Sequence, residues 1–166
     1  MNVIIIGKGP GWKKAPTEGH TWGVNDLCLR RDVEVVFDMH ISGDSEISKA
    51  IEAYVIKNKV QFISLEERKN IPSSLSFPLT EMHSDYFTNS IAYMIAYAIF
   101  KGANQIDLYG CFIGNKTEYA YQKPCIEYWI GYARGKGIKV IVHEPTTLLR
   151  IHGSNLYGYN KPQEKF

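Results

Sequence analysis

The chain has 166 residues, and at roughly 150 residues per domain this is one domain, too short for a cofactor domain beside a separate substrate domain. Hydrophobic residues make up 45% and charged residues 22%, which excludes disorder, and a formal charge of +2 leaves no electrostatic footprint for nucleic acid. Three cysteines, Cys28, Cys111 and Cys125, are odd in number and far apart with no CxxC or Cys/His cluster, which excludes a disulfide framework and structural zinc and fits a reduced cytoplasmic protein.

In chain order, Val3–Ile6 is a β-branched run ending in glycine and reads as a buried strand. Nothing before it resembles a signal peptide. The loop Gly7-Lys8-Gly9-Pro10-Gly11-Trp12 follows. Thr21–Val24 reads as a strand closed by Asn25-Asp26, and Val33–Phe37 as a strand closed by Asp38-Met39-His40. Ser45–Lys57 has helical spacing with Ile47, Ile51, Tyr54 and Val55 on one side, and Gln61–Leu65 is a further strand. The segment 71–85 contains Pro72, Pro78 and several serines and reads as a long loop.

Thr88–Lys101 is the central helix, stopped by Gly102; its apolar run, from Ile91 to Phe100, is too short to span a bilayer. Gln105–Tyr109 is a strand closed by Gly110, and Tyr121–Gly135 is a helix with Ile126, Trp129, Ile130 and Ala133 on one face. Ile138–Val142 is the last strand, and residues 153–166 form a polar tail, either flexible or closing a pocket. Strands alternating with helices imply an α/β, Rossmann-like three-layer fold with a mostly parallel sheet. Ligands of such sheets sit beyond the carboxyl ends of the strands, where the strand order reverses.

That rule selects the strand-end residues. The Gly7–Gly11 loop permits close backbone approach, and its N–H groups with Lys8 suit a phosphate; a plain strand-to-helix turn is the equal alternative, because neither GxGxxG nor GK[ST] is present. Asn25 and Asp26 read either as nucleoside contacts or as a turn. Asp38 and His40, two apart on an extended chain, leave on the same side and suit an acid/base pair; with no third ligand nearby a metal is the weaker reading. Thr88, Asn89 and Ser90 open the central helix and serve either an anion or an ordinary N-cap. Tyr119, Lys123 and Glu127 share a face that points into a pocket or into solvent.

Taken in order, these segments resemble the bacterial sialyltransferases of the single-domain α/β type. Val3–Gly11 resembles their strand and G-x-G-P-S loop, Trp22–Asn25 their strand ending in Asn, Asn89–Met94 their T-S-G helix start and Tyr119-Ala120-Tyr121 their Y-A-F segment. The archaeal hydroxymethylpterin diphosphokinase-like proteins are similar over the glycine-loop segment. Closer still are short phage and prophage proteins of unassigned function, over Trp22–Asp26, Phe37–His40, Tyr86–Ala92, Glu118–Gly131 and the ending Leu156–Tyr159.

The sialyltransferase resemblance implies that Lys8, Gly9, Pro10, Gly11, Asn25, Asn89 and Ser90 hold the cytidine monophosphate part of a donor and that Tyr119 contacts phosphate. It departs where the loop serine is Gly11 and where the lid carrying that family's histidine has no counterpart, because Tyr119 runs almost at once into a helix. The expectation is a nucleotide or nucleotide-sugar binding protein acting as a small glycosyltransferase. Gly7–Gly11 and Thr88–Ser90 would meet phosphate, Asn25 and Asp26 the nucleoside, and Tyr119 and Lys123 the phosphate or leaving group. Asp38 or His40 would be the acid/base. Two alternatives stand beside it: a non-catalytic phage module sequestering a nucleotide-derived signal, with Tyr157 and Tyr159 closing the pocket, and a Mg-dependent diphosphokinase. The expected partner is a small nucleotide, with no required cofactor, no nucleic acid and no membrane. The 11 tyrosines favour a homo-oligomer.

Overall fold

The computed structural model describes residues 1–40, 45–114 and 121–150. Seven strands form one sheet: β1 (Asn2–Ile6), β2 (His20–Val24), β3 (Val35–Phe37), β4 (Gln61–Ser64), β5 (Ser74–Ser76), β6 (Gln105–Tyr109) and β7 (Lys139–Val142). Their order is β5-β4-β3-β2-β1-β6-β7 and every pairing is parallel. The order runs one way from β1 to β5 and reverses between β1 and β6, so the switch point lies at the carboxyl ends of those two strands.

Among the described residues three α-helices complete the layers: α1 (Glu46–Asn58), α2 (Ser90–Phe100) and α3 (Gln122–Gly135). The pleat sends Val3 and Ile5 of β1 to one face, where they join Trp22, Phe37, Ile106 and Leu108 in a core covered by α2 and α3. Helix α2 is buried almost all round, with Ile91, Ala92 and Met94–Ala98 enclosed, as expected of a helix held between a sheet and a second helix. On the opposite face α1 lays Ile51 and Val55 against Val36 and Phe62. Beside it Ile4 and Ile6 meet Ala15, which follows the 3₁₀ turn Trp12–Lys14, and Leu27 of the 3₁₀ turn Asn25–Leu29.

The α/β, Rossmann-like sheet expected from the sequence is therefore present, and it is parallel throughout. Four details differ. The segment 71–85 is not all loop: it holds β5 and a 3₁₀ turn, Leu79–Glu81. Only three residues long, β5 pairs with β4 alone, and such an edge strand carries too few residues to show alternation. Residues Asn25–Leu29 continue past the expected turn as 3₁₀ helix. Strand β3 begins at Val35 rather than Val33. Ile47 does not join the buried side of α1; it sits in the first turn, 59% exposed. The tail 153–166 lies outside the described residues, as does Tyr119.

The switch point is closed by glycines. The Gly7 N–H donates to the Tyr109 carbonyl and the Gly9 N–H to the Gly110 carbonyl, each at 2.8 Å. A Cβ on Gly7 would fall 2.6 Å from the Gly110 oxygen. Gly110 has φ +62, and a Cβ there would fall 2.7 Å from Cβ of Trp12 and 2.8 Å from the Gly7 oxygen. The loops after β1 and β6 thus touch backbone to backbone, which side chains would forbid.

This gives a contrast between two substitutions. Gly102, at the end of α2, has φ +72 but open space around its missing Cβ. Gly102→Ala should cost only the left-handed penalty, about 1–2 kcal/mol. Gly110→Ala adds backbone overlap and should cost about 4 kcal/mol or more. Urea denaturation of the two variants against wild type measures the difference.

Candidate functional site

A cleft of about 630 Å³ opens above the switch point. Its floor is the glycine contact: Gly7, Lys8 and Gly9 on one side, Gly110 to Gly114 on the other. Thr88, Asn89, Ser90 and Ile91 from the start of α2 form one wall, with Gln122 of α3; Val24, Asn25 and His40 form the opposite rim. The 110–114 wall is stapled from behind, where Oγ1 of Thr146 donates to the Cys111 carbonyl and Thr147 exchanges hydrogen bonds with N–H and C=O of Ile113.

Of the residues singled out from the sequence, Gly7, Lys8, Gly9, Asn25, His40, Thr88, Asn89 and Ser90 meet around this one cavity. Pro10, Gly11, Asp26, Asp38 and Lys123 do not line it. Gly11 packs against the segment after β7, where a Cβ would fall 2.7 Å from Cδ of Pro145. Asp26 sits behind Lys8, accepting from its Nζ at 2.6 Å and from Arg30 at 3.0 Å. Burial raises the Asp26 carboxyl, but the Lys8 hydrogen bond and charge more than offset this and hold it below its ordinary value. Lys123 turns away to pair with Glu127 at 3.7 Å and to donate to the Arg150 carbonyl at 2.8 Å. The pair fastens the 149–150 segment, since Oε1 of Glu127 accepts from the Leu149 N–H.

The glycine loop offers fewer donors than its composition suggests, because the N–H groups of Gly7 and Gly9 are spent on β6. The start of α2 keeps its donors. Asn89 caps the helix by accepting from the Ala92 N–H at 3.0 Å, and its Nδ2 donates to the Gln122 carbonyl at 3.2 Å. Thr88 donates to the Tyr121 carbonyl at 3.0 Å, so both side chains tie the starts of α2 and α3 together. The N–H groups of Ser90 and Ile91 have no partner within the helix, and both residues face the cleft. Asn25 has φ +47, unusual for a residue with a side chain, and its Oδ1 is enclosed without a hydrogen-bond partner.

At the rim, Nδ1 of His40 lies 2.8 Å from Oδ1 of Asp38, and the His40 N–H donates to the same oxygen at 3.2 Å. Asp38 is buried, with a side chain 4% exposed, whereas the His40 side chain is 71% exposed. The carboxylate orders the ring by its inner nitrogen and leaves Nε2 outward. The other oxygen of Asp38 accepts from Arg68, which also pairs with Glu52 of α1. Arg68 and Glu52 had no sequence signal: Arg68 stands in the charged run 66–69, which reads as surface, and Glu52 is a single acid in an amphipathic helix.

Burial pushes the Cys111 thiol in the cleft wall up to about 12, which disfavours the thiolate that a nucleophile requires. Among the described residues no group of three His, Cys, Asp or Glu is placed to hold a metal ion, and no helix is long and apolar enough to cross a membrane.

No family model and no curated protein matches the chain. Solved structures do. The sialyltransferase CstII from Campylobacter jejuni, in complex with the substrate analogue CMP-3FNeuAc, superposes with a TM-score of 0.58 at 17% identity, over 85% of this chain and 79% of that one. The CST-II complex with a trisaccharide acceptor and CMP gives 0.56 at 17% identity, over 86% and 80%. This likeness is one of fold.

The thiols provide a check on the cleft wall. Cys28 is likewise raised by burial, to about 11, so both thiols stay neutral at pH 8. A thiol reagent such as DTNB at pH 8 should leave Cys28 and Cys111 unmodified in the native protein and titrate all three cysteines once guanidinium unfolds it. Rapid native reaction at Cys111 would contradict the closed wall.

Proposed function

We propose that this protein binds the nucleotide part of a nucleotide-activated sugar in the cleft above the switch point and transfers the sugar to an acceptor hydroxyl. The observation that carries the reading is convergence. Gly7, Lys8 and Gly9, Asn25, and Thr88 to Ser90 come from three strand-to-helix segments and bound one cavity, with a carboxylate-ordered imidazole on its rim. Solved structures of the same fold, the sialyltransferases, carry CMP or a CMP-sugar analogue, and this supports a nucleoside monophosphate as the leaving group.

Each group has a part in this reading. The phosphate lies at the start of α2, where the Ser90 and Ile91 N–H groups and the helix dipole favour an anion. Lys8 supplies a positive charge at the floor. Asn25 borders the cleft and meets the nucleoside or sugar with its amide group. The sequence resemblance assigns a phosphate contact to Tyr119, which lies outside the described residues. His40 acts as base through Nε2: the acceptor oxygen attacks the anomeric carbon, its proton passes to Nε2, and the bond from the sugar to the phosphate oxygen breaks to release the nucleoside monophosphate. Asp38 orders the ring and stabilises the imidazolium that forms. No metal is needed for this step, and Asp26 and Asp38, the carboxylates that a Mg-dependent diphosphokinase would use, are committed to Lys8 with Arg30 and to His40 with Arg68.

Calorimetric titration with CMP, UMP and their sugar conjugates, followed by a hydrolysis assay on any conjugate that binds, tests the reading. Asn25→Ala should weaken nucleotide binding by about tenfold, one unpaired polar contact. His40→Asn should leave affinity within a factor of two and lower turnover by about 10²-fold or more. Binding without turnover in wild type would favour a sequestering module. No binding of any nucleotide would overturn the proposal.

A further inference from the structure

Behind the His40–Asp38 pair stands a side chain with no sequence signal and no contact with the cleft. Arg68 follows β4 on the way to β5, and its side chain is 6% exposed. Its guanidinium donates to Oδ2 of Asp38 and to the His40 carbonyl, each at 3.3 Å, and to Oε1 of Glu52 at 3.1 Å. It lies over the Phe62 ring at 4.8 Å. Its own N–H donates to Oγ of the buried Ser74 on β5 at 2.9 Å. The short edge strand thereby holds the arginine, and the arginine holds the end of β3.

Resting on the reading of His40 as the base, we infer that Arg68 is the positioning residue of the dyad. By pairing with Asp38 and fastening the His40 carbonyl it keeps Asp38 an acceptor, which holds the imidazole proton on Nδ1 and leaves the Nε2 lone pair free. A buried carboxylate that loses a partner cation loses part of what fixes it in place. Without Arg68, Oδ2 of Asp38 and the His40 carbonyl lose their shared donor, and Asp38 and Glu52 their shared cation. The carboxylate and the end of β3 are then free to turn, and Nδ1 loses the fixed acceptor that selects its tautomer. The ring proton then divides between Nδ1 and Nε2, and the Nε2 lone pair is no longer held free. Among the described residues, the other charged groups lining the cavities that His40 borders are Glu66, Glu67 and Lys69 on its outer side and Lys8 across the cleft. All four are far more exposed than Arg68 and are screened by solvent. A lysine would restore the charge but not the planar fork that reaches three acceptors at once.

Long-range proton–nitrogen correlation spectra of ¹⁵N-histidine-labelled protein at pH 8.5 test this without any nucleotide. Wild-type His40 should show a single neutral form protonated at Nδ1. Arg68→Met should lose that pattern, and Arg68→Lys should recover part of it. His143, held by Asp107 at 2.7 Å on β6, reports whether each variant is folded. A folded Arg68→Met protein with the wild-type His40 pattern overturns the inference. If Arg68→Met does not fold, wild type decides. A guanidinium clamped on three acceptors gives separate, slowly exchanging Nη proton signals, and one averaged Arg68 signal overturns the clamp. Failure of CMP to bind would count against the proposed function and leave this result standing.

Discussion

The contact between the Gly7 and Gly110 backbones sets the geometry of everything above the sheet. Two strands adjacent in the sheet but remote in sequence end on residues without side chains, and their loops close to hydrogen-bonding distance. That approach makes a floor of peptide groups rather than side chains. The N–H groups of Gly7 and Gly9 are used to build the floor, so an anion finds backbone donors at the start of α2 instead. The site is thus divided between a structural glycine loop and a donor-bearing helix start, a division that composition alone does not reveal.

The rim is built on the opposite principle. Where the floor depends on absent side chains, the end of β3 depends on a buried polar network. Asp38 faces His40 with one oxygen and Arg68 with the other, and Arg68 reaches on to Glu52 of α1 and Ser74 of β5. Such a network is stable only when every member is satisfied. It links the position of the exposed His40 imidazole to the packing of α1 and of the edge strand. The fold is shared with solved sialyltransferases at 17% identity, but the chemistry at the rim has to be argued from this chain's own side chains.

Much of this was legible because it is written in local signals. Strand β1, with its unbroken β-branched run, and β6, closed by Gly110, are short-range patterns, and so is the Asn89 cap of α2. The pairing of Asp38 with His40 followed from their spacing on an extended chain. What was not legible depends on distance in sequence. Strand β5 exists through its pairing with β4, and Arg68 matters through Asp38, thirty residues earlier. In sequence Arg68 stands in Glu66-Glu67-Arg68-Lys69, a run that reads as solvated surface. Lys123 failed to reach the cleft for a similar reason: its partner carbonyl, on Arg150, belongs to a distant segment.

The proposed nucleotide site is the cavity between the glycine floor and the start of α2. A crystal structure of the protein soaked with millimolar CMP is the direct test. The expected result is the nucleotide in that cavity, its phosphate against the Ser90 and Ile91 N–H groups and its nucleoside toward Asn25. CMP bound elsewhere, or an empty cleft at saturating CMP, would contradict it.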